Sequence, residues 1–394
     1  MDFSRRTNWY RRQNRLADCL ENRRASGKPI IDLTSSNPTE CGFHYPHTAI
    51  IDAFSTPELV SYQPDPHGLI LARKVVSDYY QTRGHSVDPS AIFLTASSSE
   101  AYSHIFKLLC NVNDTVLVPQ PSYPLFEYLA QINDVHLDYY HLIYDNGWHI
   151  DFESIRHAIS SSTKAIVIVN PHNPTGMFVD ASEYSEIREL AIKHNLAIIV
   201  DEVFIDYSFE SNPLPDRSYV TETQVLTFTL NGIAKMLGLP QMKLGWMIVG
   251  GPPKDRQEVV ARMEILCDTF LSVNTPVQLA FPPIMAVAQS IHQEIARRVK
   301  ANYKSLRSII LRSAPVSVLE NEGGWYSILK VPNIKSDEQW TLGILEKKGV
   351  YVFPGYFFDF EPDAFLVVSL LIEEKKFISG IQTLLTFVQE ECGG

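Results

Sequence analysis

The chain has 394 residues, of which 45% are hydrophobic and 20% charged, and a formal net charge of −11. That length can bury a large core and suits one sizeable α/β domain with a smaller companion, in a soluble, globular chain. The acidic balance argues against a general nucleic-acid-binding face, which needs a basic surface, but it leaves room for a local anion site.

Five cysteines (Cys19, Cys41, Cys110, Cys267, Cys392) are scattered, odd in number and without C-x-x-C spacing. This points to a reducing compartment and away from a zinc site, so no metal is expected. The N-terminus is rich in Arg and lacks the apolar segment of a secretory signal. No run of about 18 apolar residues marks a membrane span. A cytoplasmic location is expected.

In chain order, residues 8–26 read as an Arg-rich amphipathic helix ending near Gly27, and a short strand then runs into a turn at Asn37-Pro38. The central region alternates strands with helices. Strands are expected at Ile92–Thr95, Thr115–Pro119, Val135–Leu142, Ala165–Asn170, Ala197–Val203, Val225–Leu230 and Leu244–Val249. Helices are expected at Ser99–Leu109, Tyr123–Gln131 and Ala181–His194. The alternation implies a large domain with a mostly parallel seven-stranded sheet sandwiched by helices. Pro276 to Ser313 reads as a long helical stretch interrupted near Pro282-Pro283. Strands at Val316–Glu320, Trp325–Leu329, Val350–Val352 and Phe365–Leu370 follow, then a helix at Glu373–Glu391. These make a smaller α+β domain formed by both termini. The expected division is 42–280 for the large domain against 1–41 with 281–394 for the small one.

Three segments carry chemistry. Asn170-Pro-His-Asn173-Pro-Thr-Gly176 and Asp201-Glu-Val-Phe204 each end a β-branched run, and Lys235 lies just past an apolar strand at a Gly-containing turn. Ligands bind at the carboxyl edge of open α/β sheets. A desolvated lysine there has a lowered pKa and can act as nucleophile and base, forming a Schiff base with an aldehyde.

This order of Asn173, Asp201 and Lys235 resembles the fold-type-I pyridoxal-phosphate (PLP) enzymes, the aspartate aminotransferase superfamily, across about residues 31 to 386. The resemblance implies that Lys235 holds the cofactor and that Asp201 pairs with its pyridine nitrogen. It implies that Asn173 donates to the ring oxygen O3′; Asn170 and His172 compete for that role. Tyr123 would stack on the ring. Ser98 and Ser99, opening a helix directly after a strand, would receive the phosphate at a helix N-terminus, with Lys243 supplying charge. Tyr62 would reach the phosphate of a neighbouring subunit, which implies a homodimer with a shared active site; Leu271–Pro276 is a second candidate contact. Blander readings exist for each: helix capping for Asp201 and the serines, a turn for Asn173, core packing for Tyr123.

Four positions depart from the family pattern. Lys243 stands where an Arg is usual, losing its bidentate fork. Phe204 stands where a Tyr is frequent, and Gly232 where a Ser is frequent. Val367 aligns with the arginine that clamps the substrate α-carboxylate, a strong specificity device. Asn37, Trp325 and Tyr356 are substrate-pocket candidates, with core packing the alternative for Trp325. The function implied is PLP-dependent transfer of an amino group from an amino donor to a 2-oxo acid. The alternatives are another PLP reaction on the same scaffold (lyase, decarboxylase or condensation) or a non-catalytic sensor. No nucleic-acid or membrane partner is expected.

Overall fold

The computed structural model describes residues 1–9, 14–209, 217–311, 315–361 and 364–393. Its strands, in chain order, are β1 (Ile31–Asp32), β2 (Ile92–Thr95), β3 (Thr115–Gln120), β4 (His136–Tyr144), β5 (Trp148–Ile150), β6 (Thr163–Val169) and β7 (Ala197–Asp201). They continue with β8 (Thr227–Gly232), β9 (Gly245–Gly250), β10 (Ser317–Val318), β11 (Tyr326–Lys330), β12 (Val350–Tyr351), β13 (Phe353–Pro354) and β14 (Phe365–Ser369).

The main sheet runs β2-β9-β8-β7-β6-β3-β4-β5. Strands β8, β7, β6, β3 and β4 are parallel, and β9 lies antiparallel to both β2 and β8. The sheet thus has eight strands rather than seven. The extra one, β5, is a three-residue strand paired antiparallel with β4. It escapes a sequence reading because so short a segment shows no period.

Alternate residues explain why these strands are apolar throughout. Val167, Ile199, Phe228 and Met247 pack on one face with helix residues such as Ala101, Ile105 and Val259. Ile166, Ile198, Val200, Trp246 and Ile248 pack on the other. A strand buried on both faces has no polar side to show. The covering helices carry their own signals. Ala181–His194 opens with a capping box between Asp180 and Glu183 and closes on left-handed Asn195.

Toward the chain's end β10, β11, β14 and β13 form an antiparallel sheet, and β1 pairs in parallel with β12. Both termini therefore contribute to this second region. The first long helix spans Arg15–Ala25, shorter than the expected 8–26, part of which lies outside the described residues. The interruption expected near Pro282-Pro283 falls later: both prolines sit inside the helix Thr275–Val287, and the helical stretch breaks at Ala288 before Gln289–Ile310. Buried Val277, Ala280, Phe281 and Ile284 hold that segment helical, with Phe281 6.1 Å from Trp246. Packing there outweighs the missing N–H groups. The helix expected from Tyr123 begins at Leu125, and the strand expected at Val316–Glu320 shrinks to two residues. Among the described residues no single helix is long and apolar enough to cross a membrane.

Candidate active site

The register of the parallel strands sets the site. Val169 lies opposite Asp201, and Asp201 opposite Leu230. The segments leaving β6, β7 and β8 therefore emerge side by side, bringing Asn170–Asn173, Asp201 and Lys235 to one edge.

Asp201 ends β7 and is 8% exposed. One carboxylate oxygen accepts from the Val203 N–H at 3.1 Å, the other from the Tyr102 hydroxyl at 3.1 Å. Burial pushes its carboxyl up to about 6, opposed by those two bonds and by the charge of Lys235. Lys235 lies in the single helical turn Ile233–Met236 after β8. Burial pulls its amine down to about 8, against the attraction of Asp201. The ammonium nitrogen sits 4.8 Å from the Trp325 ring and 5.6 Å from the Phe204 ring. These two rings meet edge-on, 5.4 Å apart. The Tyr207 hydroxyl donates to the Lys235 carbonyl at 2.6 Å, fixing the backbone beneath the amine.

The Asn-rich turn sorts its own candidates. Asn170 is spent on structure: its amide donates to the Arg217 carbonyl at 2.8 Å and accepts from the Val179 N–H at 3.1 Å. A ring nitrogen of His172 bonds the Thr175 hydroxyl at 2.9 Å, and burial lowers the ring to about 3, so it is neutral. Asn173 differs: its amide oxygen is buried with no hydrogen-bond partner among the described residues.

At the neighbouring strand end, Ser98 and Ser99 form the first turn of the helix Ser98–Leu109, capped by Ser97, whose hydroxyl accepts from the Glu100 N–H at 3.2 Å. The Glu100 carboxylate accepts from the Ala96 N–H and from the Ser272 hydroxyl, each at 2.7 Å. The capping duty thus falls on Ser97, leaving the Ser98 and Ser99 hydroxyls free of it. Tyr123, between β3 and the next helix, is 45% exposed. Lys243 is exposed and left-handed, with φ of 51°. Tyr62 is 78% exposed. With Gly68, Leu94, Leu271 and Ser272 it lines one cleft, so both candidate cross-subunit segments meet there.

The pocket candidates divide. Trp325 is fully buried against Lys235. Asn37 serves as a cap, its side chain accepting from the Thr39 N–H at 3.2 Å and hydroxyl at 2.8 Å. Tyr356 touches Phe357 and its backbone N–H donates to the Asp337 carboxylate at 3.1 Å, outside the Lys235 cluster. Val367 is fully buried, opposite Ile328 and Phe353. Two groups escaped the sequence reading. Tyr102 sits one helical turn beyond Ser98, a spacing that shares a helix face and could have been noticed. Tyr326 is buried, its hydroxyl pushed up to about 12, hydrogen-bonded by Ser36 and near Tyr123. Nothing local in the sequence signals that meeting. Gly232 has a steric reason: a Cβ there would lie 2.9 Å from the Gly245 Cα and 3.0 Å from the Leu244 carbonyl oxygen.

A lysine amine whose proton is loosened by burial, near a buried carboxylate on the open edge of a covered parallel sheet, is an arrangement that suits an aldehyde cofactor. The model of the family described as aminotransferase class I and II matches residues 28–374. The chain is 29% identical over 352 residues to the glutamate-pyruvate aminotransferase AlaA of Haemophilus influenzae, covering 87% of each chain. It is 24% identical over 360 residues to the tyrosine aminotransferase of Dictyostelium discoideum, covering 86% of this chain and 85% of that one. An aminotransferase structure from Escherichia coli matches with a TM-score of 0.85 at 26% identity, covering 99% of this chain and 98% of that one. The alanine aminotransferase of Pyrococcus furiosus shares the fold, with a TM-score of 0.87 at 24% identity and coverage of 99% and 100%. The chain belongs to the class I and II aminotransferase family. It is a PLP-dependent transaminase, passing an amino group from an amino donor to a 2-oxo acid.

Proposed function

We propose that Lys235 is the cofactor-bearing lysine and the proton-transfer base of this transaminase, with Asp201 as the acid partner of the pyridine nitrogen. The observation that carries the reading is the pair itself: an amine brought down to about 8 and a carboxyl pushed up to about 6, each bearing on the other's ionisation. The residues present fit the group. Among the described residues the buried Asn173 amide oxygen has no hydrogen-bond partner, which leaves that end of the side chain open to a donor from a bound group, while its NH2 would supply the donation to O3′. Ser98 and Ser99 begin a helix whose first N–H groups and dipole suit a phosphate, and Lys243, two residues before the Gly245 that pairs with Thr95, is the cation we assign to it. Tyr123 supplies a ring face. When bound, the cofactor provides an electron sink. Lys235 can take a proton from substrate carbon and return it, because its amine is desolvated between Phe204 and Trp325. Asp201, anchored through both oxygens by Tyr102 and Val203, would hold the protonated pyridine nitrogen of the cofactor.

Borohydride reduction of the holoenzyme followed by peptide mapping tests the assignment. The reduced cofactor should map to Lys235, and Lys235→Ala should lose the visible absorption of the bound cofactor while remaining folded. A label on another lysine refutes it.

The same reading includes a homodimer with a shared active site, supported by the cleft that joins Tyr62 to Leu271 and Ser272. It also keeps the division of 42–280 against 1–41 with 281–394, whose second boundary falls within the helix Thr275–Val287. For substrate, Val367 is the guide. A buried valine among Ile328 and Phe353 cannot clamp a carboxylate. We therefore assign the chain a donor other than the common small amino acids, although its relatives include glutamate-pyruvate and alanine aminotransferases.

A further inference from the structure

Tyr102 and Asp201 are 99 residues apart in the chain, yet the Tyr102 hydroxyl donates to Asp201 at 3.1 Å. We propose that Tyr102 is a positioning residue for Asp201, orienting its carboxylate and keeping it ionised for its role toward the cofactor. This rests on the assignment of Asp201 given above.

The geometry is specific. Tyr102 projects from the helix Ser98–Leu109, whose first turn carries the candidate phosphate contacts, and is 3% exposed. Its ring is wedged edge-on against Phe126, with centroids 5.3 Å apart, and tilted against Phe106 at 6.0 Å. Packing on both sides fixes where the hydroxyl oxygen sits, within hydrogen-bond reach of Asp201. The Val203 N–H restrains the other carboxylate oxygen, so the carboxyl plane is fixed from two sides. The charged and titratable groups bearing on the pair are Lys235 on Asp201 and Tyr140 on Tyr102. Tyr140 donates to the Val167 carbonyl at 2.9 Å and so stays a neutral neighbour. Burial holds the Tyr102 hydroxyl far above its ordinary range, so it remains a donor at every working pH. A donor to a carboxylate favours the ionised form. Tyr102 thereby offsets part of the burial that would otherwise leave Asp201 protonated. The same helix thus links the phosphate end of the site to its acid end.

The test is Tyr102→Phe, which keeps the ring and removes one O–H. Three readings are taken. Carbon-13 NMR of the Asp201 carboxyl in the full-length cofactor-free chain should show it titrating about one pH unit higher. The acid limb of kcat/KM should move to higher pH by a similar amount. At neutral pH kcat should fall about tenfold while KM for the amino donor changes less than about twofold. If Tyr102→Phe does not fold, a fluorotyrosine placed at position 102 keeps the shape and strengthens the donor, and Asp201 should then titrate lower. Unmoved titration and an unmoved acid limb overturn the proposal. Asp201→Asn run alongside separates the two claims. Loss of rate there with no effect at Tyr102 rejects only the positioning role. Near-normal turnover of Asp201→Asn rejects the reading of Asp201 itself.

Discussion

Removing the amine of Lys235 should make the cofactor-free protein more stable. The amine's ordinary value is 10.5, and in the folded chain burial brings it to about 8. Folding therefore disfavours the protonated form by about 3 kcal/mol, at about 1.4 kcal/mol per pH unit. That figure is an upper bound, because the Lys235 side chain is not fully closed to solvent although burial dominates at its amine. Lys235→Met keeps the stem between the Phe204 and Trp325 rings and removes the charge. One term opposes the gain: Asp201 loses a favourable neighbour, its carboxyl rises above about 6, and part of it takes up a proton at neutral pH. The net expectation is a gain of about 1–2 kcal/mol at pH 7. The sign against pH follows from the depressed value. Wild-type stability is least impaired above 10.5 and falls as pH drops toward about 8, below which the loss is constant. The advantage of Lys235→Met should therefore be full at pH 7, shrink through pH 8 to 10 and approach zero only above about 10.5. Urea denaturation of both cofactor-free proteins across that range measures it. A variant no more stable than wild type at pH 7, or an advantage that does not change with pH, would refute the account of a desolvated amine.

Three further outcomes are expected. Gly232→Ser should lower the urea midpoint by the equivalent of about 1–3 kcal/mol without changing m, because the new Cβ meets backbone at 2.9 and 3.0 Å; an unchanged midpoint removes the steric reason for glycine. Sedimentation at assay concentration should show a dimer, with Tyr62→Ala weakening cofactor affinity about tenfold through a lost phosphate contact; a fully active monomer contradicts the shared site. Steady-state kinetics with aspartate, alanine and glutamate, against 2-oxoglutarate and pyruvate, should give kcat/KM well below about 10⁴ M⁻¹s⁻¹. Ordinary values for any of the three would refute the placing of the carboxylate clamp at Val367, or show that other groups replace it.

Much of this protein is written locally. The strands β2, β3, β6, β7, β8 and β9 appear as apolar runs because both faces of the sheet are covered, and Ala181–His194 is bounded by its own caps. The order Asn173, Asp201, Lys235 is legible because parallel strands deliver their carboxyl ends to one edge whatever lies between them. The three-residue β5 and the helix that runs through Pro282-Pro283 were hidden, since one is too short for a period and the other is held by packing stronger than its local preference. What only the tertiary structure decided is who stands beside whom. It spent Asn170 on the Arg217 carbonyl and Asn37 on its own turn, and left the Asn173 oxygen unpaired. It set Trp325 against Lys235 and brought Tyr102 to Asp201 across 99 residues. Periodicity and capping are properties of neighbours along the chain, whereas burial, and with it the altered proton affinities of Lys235 and Asp201, belongs to groups that meet only once the sheet has closed its layers.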